Sequence, residues 1–201
     1  MKKFELTSEF VTFLGKKLFR IKALISFGNV EEGELGGYVE KEENLSNDGN
    51  AWVHGNAMVY GDARVCGNAR VYGDAEVSGN AWVYGNAEVS GNAWVYGDAR
   101  VYGDARVYGD ARVYGDARVY GDARVYGDAD YATVHGFGSE YRTTTFFRAK
   151  AGDIGVRCGC FYGTLEEFRA KVKETHGETK TAKEYLMVAD LMEFRFSKEE
   201  A

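Results

Sequence analysis

The stretch VYGDARVYGDARVYGDARVYGDARVYGDAR, residues 95–124, is one six-residue unit repeated five times without variation. Related units extend the pattern in both directions, so that valine recurs every six residues from Val53 to Val125. An alanine stands two residues before each of these valines, and a Gly-Asp or Gly-Asn pair separates successive units. Each unit therefore predicts a short strand, Ala-x-Val-x, followed by a corner at the glycine.

The way in which the chain turns at these corners follows from the alternation of side chains along a strand. Alanine and valine share one face of each strand, while residues such as Arg106 and Tyr108 share the other. In a meander of two-residue hairpins, Tyr108 and Ala111 would point to the same face, and the apolar and polar sets would mix. In a parallel coil every alanine and valine points inward. The pattern therefore predicts a mainly β fold built around a parallel β-solenoid.

The Ala-x-Val spacing resembles the hexapeptide signature of left-handed β-helix proteins, the hexapeptide-repeat superfamily. This resemblance implies three hexads, about eighteen residues, in each triangular coil, and hence about four coils for the valine hexads. The six-residue period alone leaves the handedness open. The chain departs from the family pattern in one respect, because tyrosine mostly follows the valine where the family usually has a small or acidic residue.

Periodicity divides the chain into three predicted regions. Residues 1–48 are aperiodic and predict an N-terminal β cap, whereas residues 49–136 form the hexapeptide-repeat β-solenoid. Residues 137–201 predict a C-terminal module that consists of a β-hairpin and helices. Both end regions are needed as covers, since a stack of parallel strands leaves open edges that promote aggregation.

Turn and capping residues place the elements of the C-terminal module. A hairpin is predicted about residues 151–153, Ala-Gly-Asp. Thr164 and Glu167 form the capping box of a helix that ends at Gly177. Thr181 and Glu184 open a second predicted helix, whose apolar residues need a surface to pack on.

Composition and the end segments narrow the class of protein. A net charge of −6 and a pI near 5.2 argue against nucleic acid or anionic membranes as partners. The three cysteines do not form a disulfide framework, so a soluble protein of a reducing cytoplasm is expected. The segments LGGYVEKEENLS (35–46) and CGCFYGTLEEFRAKVKETHG (158–177) resemble uncharacterised phage and prophage proteins, which implies a bacterial host cell.

Hexapeptide-repeat proteins include acyltransferases and a class of carbonic anhydrase, so catalysis has to be considered. His54 and His135 lie in the repeat region but are 81 residues apart, too far to share a site within one chain. Cys158 and Cys160 lack the further ligands that a metal needs. The aspartates at the corners could bind calcium, but the arginine of each unit would satisfy them instead. We predict no catalytic residue, metal or cofactor.

The outward columns are the remaining candidate site. Stacked like groups can simply pack against one another, but exposed tyrosine, tryptophan and arginine are also the residues enriched at interface hot spots. The predicted binding surface comprises Trp82, Trp94, Tyr96, Tyr102, Tyr108, Tyr114, Tyr120, Arg100, Arg106, Arg112 and Arg118.

These observations predict a non-catalytic repeat scaffold that binds proteins. The expected partners are another copy of the chain, for which the resemblance implies a trimer, and a bacterial host protein that the chain could inhibit. One alternative is an acyltransferase-like enzyme with His54 or His135 at a subunit interface. A second is a sponge that binds a small ligand such as a nucleotide.

Overall fold

The fold is given by a computed structural model that describes residues 2–138 and 140–197. It is mainly β, with a parallel β-solenoid of about five turns, further antiparallel strands and two helices. The N-terminal strands are β1 (Phe4–Phe13), β2 (Lys16–Ala23) and β3 (Leu35–Val39). The solenoid strands are β4 (Trp52–Val53), β5 (Met58–Val59), β6 (Arg64–Val65), β7 (Arg70–Val71), β8 (Glu76–Val77), β9 (Trp82–Val83), β10 (Glu88–Val89), β11 (Trp94–Val95), β12 (Arg100–Val101), β13 (Arg106–Val107), β14 (Arg112–Val113), β15 (Arg118–Val119) and β16 (Arg124–Val125). The last elements are β17 (Tyr131–Val134), β18 (Thr144–Arg148), β19 (Ile154–Cys158), β20 (Phe161–Thr164), α1 (Leu165–His176) and α2 (Lys180–Phe196).

Each hexad contributes one two-residue strand, which pairs in parallel with the strand three hexads away. Val89, for example, pairs with Val71 on one side and with Val107 on the other. This offset of eighteen residues closes one turn and produces three sheets along the solenoid, with strand orders β3-β5-β8-β11-β14, β4-β7-β10-β13-β16 and β6-β9-β12-β15. The predicted parallel winding with three hexads per coil is confirmed.

The interior of the solenoid is built from the alanine and valine of each hexad. All of these residues from Ala51 to Val125 have no exposed surface. Neighbouring coils bury valine against valine, and full burial of one such side chain contributes about 1.5–3 kcal/mol. A single coil could not bury its own inner face, so the stack is the stable unit.

The corners require glycine for two reasons, which Gly103 illustrates. Its φ is +75°, a region of backbone conformation that side chains with a Cβ rarely adopt. A Cβ at this position would also lie 2.9 Å from the backbone nitrogen of Gly121 in the next coil. Glycine therefore lets the corners of successive coils stack closely.

The first coil precedes the valine hexads and is two residues longer than the others. Val39 pairs in parallel with Val59, and Leu45 bridges to Val65, so both pairs are offset by twenty residues. Val53 returns to the offset of eighteen through its pairing with Val71. The two additional residues lie between Leu45 and Val53. Val39 and Leu45 thus occupy valine positions in a coil that the hexad count misses.

Aromatic residues close both ends of the solenoid core. Phe4 and Phe27 lie edge-on to the buried indole of Trp52 at the N-terminal end. Tyr131 and Phe147 belong to the same core cluster at the C-terminal end. The neighbour of Phe147 on β18, Phe146, belongs instead to a second core between the C-terminal sheet and the helices. Strand β18 therefore separates two cores.

Side-chain donors satisfy the open strand edge at the N-terminal end. Backbone N–H groups of each coil donate to carbonyls of the next coil, so the first carbonyls have no donor from a preceding coil. Lys3 Nζ donates to the Ala51 carbonyl at 2.9 Å and to the Gly49 carbonyl at 3.4 Å. Asn44 Nδ2 donates to the carbonyls of Gly61 at 3.0 Å and Ala63 at 2.8 Å.

Side-chain acceptors do the complementary work at the C-terminal end, where the unpaired groups are N–H donors. The backbone N–H of Arg118 donates to Thr145 Oγ1 at 3.0 Å. The N–H of Arg112 donates to Asp128 Oδ1 at 2.8 Å. Both edges are thereby blocked by side chains from the end regions, which removes the template for pairing with another chain.

The C-terminal module matches the prediction in part. The hairpin is present, since Arg148 of β18 pairs with Ile154 of β19, but β17 and β20 extend it to a four-stranded antiparallel sheet. The capping box of α1 is also present at Thr164. The start of α2 differs: Thr179 caps the helix by accepting from the N–H of Ala182, and Thr181 lies inside the first turn. Within the described residues, neither helix is long and apolar enough to span a membrane.

Candidate binding surface

The winding sorts every outward side chain into one of three faces. Because the strand offset is eighteen residues, side chains eighteen positions apart lie one above another. We define face 1 as the outward side chains of the hexads of β5, β8, β11 and β14. Face 2 belongs to the hexads of β4, β7, β10, β13 and β16, and face 3 to those of β6, β9, β12 and β15.

The eleven predicted binding residues do not form one surface. Face 3 carries five of them, face 1 carries four and face 2 carries two. A partner that docks on one side of the solenoid can therefore use only one of these groups. The residues on face 3 are Trp82, Arg100, Tyr102, Arg118 and Tyr120; those on face 1 are Trp94, Tyr96, Arg112 and Tyr114; those on face 2 are Arg106 and Tyr108.

Face 3 carries a continuous column of aromatic rings. Tyr84 stacks on Tyr102 with centroids 4.7 Å apart and an angle of 5° between the rings. Tyr102 lies 4.3 Å from Tyr120, which in turn lies edge-on to Tyr162 at 4.5 Å. Tyr84 was missed as a site residue although it precedes Tyr102 by one coil, and Tyr162 lies in β20, outside the repeat that could have indicated it. The Arg157 guanidinium, 5.6 Å from the ring centroid of Tyr120, adds positive charge at this end.

A second column on face 3 alternates guanidinium and indole groups. The guanidinium groups of Arg64 and Arg100 each lie 5.6 Å from the ring centroid of Trp82, one from each neighbouring coil. Trp82 nevertheless stays 38% exposed, and both arginines are exposed. Cation–π contact of this kind holds the guanidinium groups in place without neutralising their charge.

The arginines of face 3 have no ion pair among the described residues, and neither do Arg70, Arg112 and Arg124 on the other faces, where only Arg106 is paired, with Glu88. The strands of face 3 also carry no carboxylate. The strand positions of face 3 therefore form a basic, aromatic strip on a chain whose net charge is −6, with Asp62, Asp98 and Asp116 at the corners of the same hexads.

On faces 1 and 2, the glutamates form hydrogen bonds or ion pairs with side chains of neighbouring coils on the same face. The Tyr60 hydroxyl donates to Glu76 Oε2 at 3.0 Å on face 1, and burial raises the pKa of Glu76. On face 2, the Tyr72 hydroxyl donates to Glu88 Oε2 at 3.3 Å, and Arg106 Nε lies 3.4 Å from the same oxygen. Serine stands at positions 78 and 90, eighteen residues after these tyrosines, where most hexads carry tyrosine, so a small side chain lies in the next coil at each site.

A pocket of about 440 Å³ opens at the N-terminal end of face 3. Cys66 occupies the position that tyrosine fills in the other coils of this face, and the space is bounded by Arg64, Trp82 and the glutamates Glu42 and Glu43. Burial raises the pKa of the Cys66 thiol, with Arg64 opposing the shift. The pocket therefore widens the accessible surface of Trp82 and does not contain an activated thiol.

The two histidines of the enzyme alternative lie at opposite ends of the solenoid. His54 follows the edge strand β4 and is half-buried, 3.7 Å from Glu34 Oε1. Burial lowers its pKa, with the carboxylate of Glu34 acting in the opposite direction. His135 follows β17 in the C-terminal sheet, where its Nδ1 lies 3.0 Å from Thr143 Oγ1. Within the described ranges 2–138 and 140–197, no three potential metal ligands cluster.

Comparison with known proteins bears on the repeats alone. The family model described as YdcK beta solenoid repeat matches residues 63–79, 93–109, 99–115, 105–121 and 117–129. A search of curated proteins found none that matches the chain. The matched segments lie within the coils described above and do not reach the end regions. Sequence and structure together therefore assign the central array to β-solenoid repeats.

Proposed function

We propose that the chain is a non-catalytic scaffold whose face 3 binds an acidic surface of a protein partner. The observation that carries this proposal is the strip of Arg64, Arg100 and Arg118 with exposed Trp82, on strands that carry no carboxylate. Arginine and tryptophan in well-packed surroundings are typical hot-spot residues. A basic strip also steers an acidic partner toward the correct side of the rod.

The rigid stacking of the face supports the same function. Tyr84, Tyr102 and Tyr120 already pack against one another, so they lose little side-chain freedom when a partner covers them. Preordered side chains reduce the entropic cost of binding. The resemblance of the end segments to phage proteins makes a bacterial host protein the first partner to seek. We also propose that the solenoid winds left-handed, as its resemblance to the hexapeptide-repeat superfamily implies.

The repeat provides matched variants for a direct test. Arg100 and Arg112 occupy identical hexads, and each guanidinium lies over a tryptophan, at 5.6 Å from Trp82 and 5.7 Å from Trp94 respectively. A partner captured by the full chain from bacterial lysate and identified by mass spectrometry would be purified, and its affinity measured by calorimetry. We expect Arg100→Glu on face 3 to weaken binding by about 30-fold or more, the effect of losing a hot spot. Arg112→Glu on face 1 should leave the affinity within about threefold.

Two further outcomes decide between this proposal and its alternatives. Equal losses for Arg100→Glu and Arg112→Glu would show that face 3 is not the docking surface. Titration with acetyl-CoA tests the acyltransferase alternative, which requires saturable binding that His54→Ala or His135→Ala abolishes. Co-purification of a nucleotide with the chain would support the sponge.

A further inference from the structure

Helix α2 carries an apolar stripe on the side that faces away from its own module. Its buried side, which includes Tyr185, Ala189, Met192 and Phe196, packs into the second core. Met187, Leu191 and Phe194 lie on the opposite side and are 71%, 57% and 79% exposed. Their spacing of i, i+4 and i+7 aligns them along one line of the helix.

This stripe has no cover within the described part of the chain. Single exposed apolar residues are common, but three in a row on one helix indicate a contact surface. The buried side of α2 already packs against helix α1 and the C-terminal sheet.

We propose that the stripe binds the same stripe of a second copy of this chain, with the two α2 helices antiparallel about a two-fold axis. A self-complementary patch is what a two-fold dimer requires, because each residue meets an equivalent set. In this arrangement Met187 of one subunit packs near Leu191 of the partner subunit. The proposal concerns a surface distinct from face 3 and does not depend on it.

One flank of the stripe carries charges that an antiparallel pair brings together, and Glu184 on this flank also lies 3.7 Å from Lys180 of its own helix. Glu184 near the start of α2 and Arg195 near its end lie on the same flank of the stripe. With the axis near residues 189–190, Glu184 lies beside Arg195 of the partner subunit. A parallel pair about a two-fold axis would place the two copies of this flank on opposite sides of the contact, so Glu184 and Arg195 would not meet.

Three side chains per subunit make a small interface, below the range of about 1,200 Å² that stable complexes bury. We therefore expect a reversible dimer whose population depends on concentration. Sedimentation equilibrium of the full chain over the micromolar range should show the average mass rising from that of one chain, 22.3 kDa, toward twice that value.

Leu191→Glu should hold the chain at the mass of a monomer throughout this range. Leu14→Glu is the matched control, since Leu14 is 77% exposed in the turn between β1 and β2, and it should dimerise like the natural sequence. Circular dichroism checks that both variants are folded. A natural chain that stays monomeric, or any oligomer that Leu191→Glu leaves unchanged, would overturn the proposal.

A charge exchange tests the antiparallel geometry. Glu184→Arg and Arg195→Glu should each weaken dimerisation, because each places like charges side by side across the axis. The double variant restores opposite charges and should recover most of the affinity. Failure of the double variant to recover it, with both single variants weakened, would rule out the antiparallel pairing.

Discussion

At the residue scale, position within the hexad decides whether a side chain is buried. Alanine and valine are inside throughout, and strand alternation is sufficient to predict this from the sequence. The division of the eleven candidate residues among three faces also follows from the period of eighteen, although the sequence interpretation treated them as one surface. The contact of Tyr60 with Glu76 spans sixteen residues and depends on how the ring leans over Ser78, which the pattern does not contain.

Lys3 provides a residue-scale prediction because its buried ammonium group titrates abnormally. Burial lowers the pKa of Lys3 from 10.5 to about 8, with the negative charge of Asp48 acting in the opposite direction. Between these two values the unfolded chain keeps a proton that the folded chain has lost, so the free energy of unfolding should rise with pH. Below about pH 8 the ammonium is charged in both states, so Lys3 no longer contributes to the pH dependence of the free energy of unfolding.

The measurement compares the natural chain with Lys3→Met by urea unfolding between about pH 7.5 and pH 9, about one pH unit below the pKa of the tyrosines of the unfolded chain. The natural chain should gain stability relative to the variant across this interval. Parallel stability profiles would show that Lys3 titrates as an ordinary exposed lysine.

At the element scale, the two ends of the solenoid use opposite chemistry for the same purpose. The N-terminal edge presents carbonyls and receives the donors of Lys3 and Asn44, whereas the C-terminal edge presents N–H groups and receives oxygens such as Thr145 Oγ1. The open edges of a parallel stack were sufficient to predict that both ends are covered. The sequence did not indicate which side chains pair with the edge carbonyls and N–H groups. Lys3 reaches Ala51 across 48 residues of chain, and no periodicity marks such a contact.

Asn44→Ala should destabilise the chain by about 2–4 kcal/mol, because the buried carbonyl of Ala63 and the part-buried carbonyl of Gly61 would lose their shared donor. Asn68→Ala is the control. Asn68 also donates through its side chain, to Asn86 at 3.0 Å, but it is exposed, and its loss should cost no more than about 0.5 kcal/mol. Urea unfolding compares the two, and equal effects would indicate that water satisfies the edge carbonyls.

At the scale of the whole molecule, the solenoid is a series of layers that contact only their neighbours. The hexad pattern was sufficient to predict the winding, the three strands per turn and the inward set, since all depend on local alternation and spacing. The first coil was not predicted, because its two additional residues interrupt the period between Leu45 and Val53. The four-stranded C-terminal sheet was predicted only as a hairpin, since β17 and β20 are short and lack a repeat.

Deletion of residues 101–118 removes one full turn from the identical hexads and joins Arg100 to Val119. Each inner alanine and valine then meets the same residue type as before, so the shortened chain should fold, with a length reduced by about 4.8 Å. Some outward contacts change, since Arg124 and Tyr126 meet Glu88 and Ser90 in place of Arg106 and Tyr108. Deletion of residues 75–92 also removes eighteen residues, but it eliminates Glu76 and Glu88. Thermal unfolding should show a larger loss for this second deletion, and small-angle scattering measures the change in length. Equal losses would mean that the tyrosine–glutamate contacts contribute nothing.

Identical hexads have a consequence for orientation as well as length. One unit covers a third of a turn, so the gain or loss of a single copy between residues 95 and 124 changes the azimuth of α1 and α2 around the rod by about 120°. Unequal recombination between repeated DNA segments could thus re-aim the terminal helices relative to the N-terminal hairpin in one genetic event, with every inter-layer contact preserved.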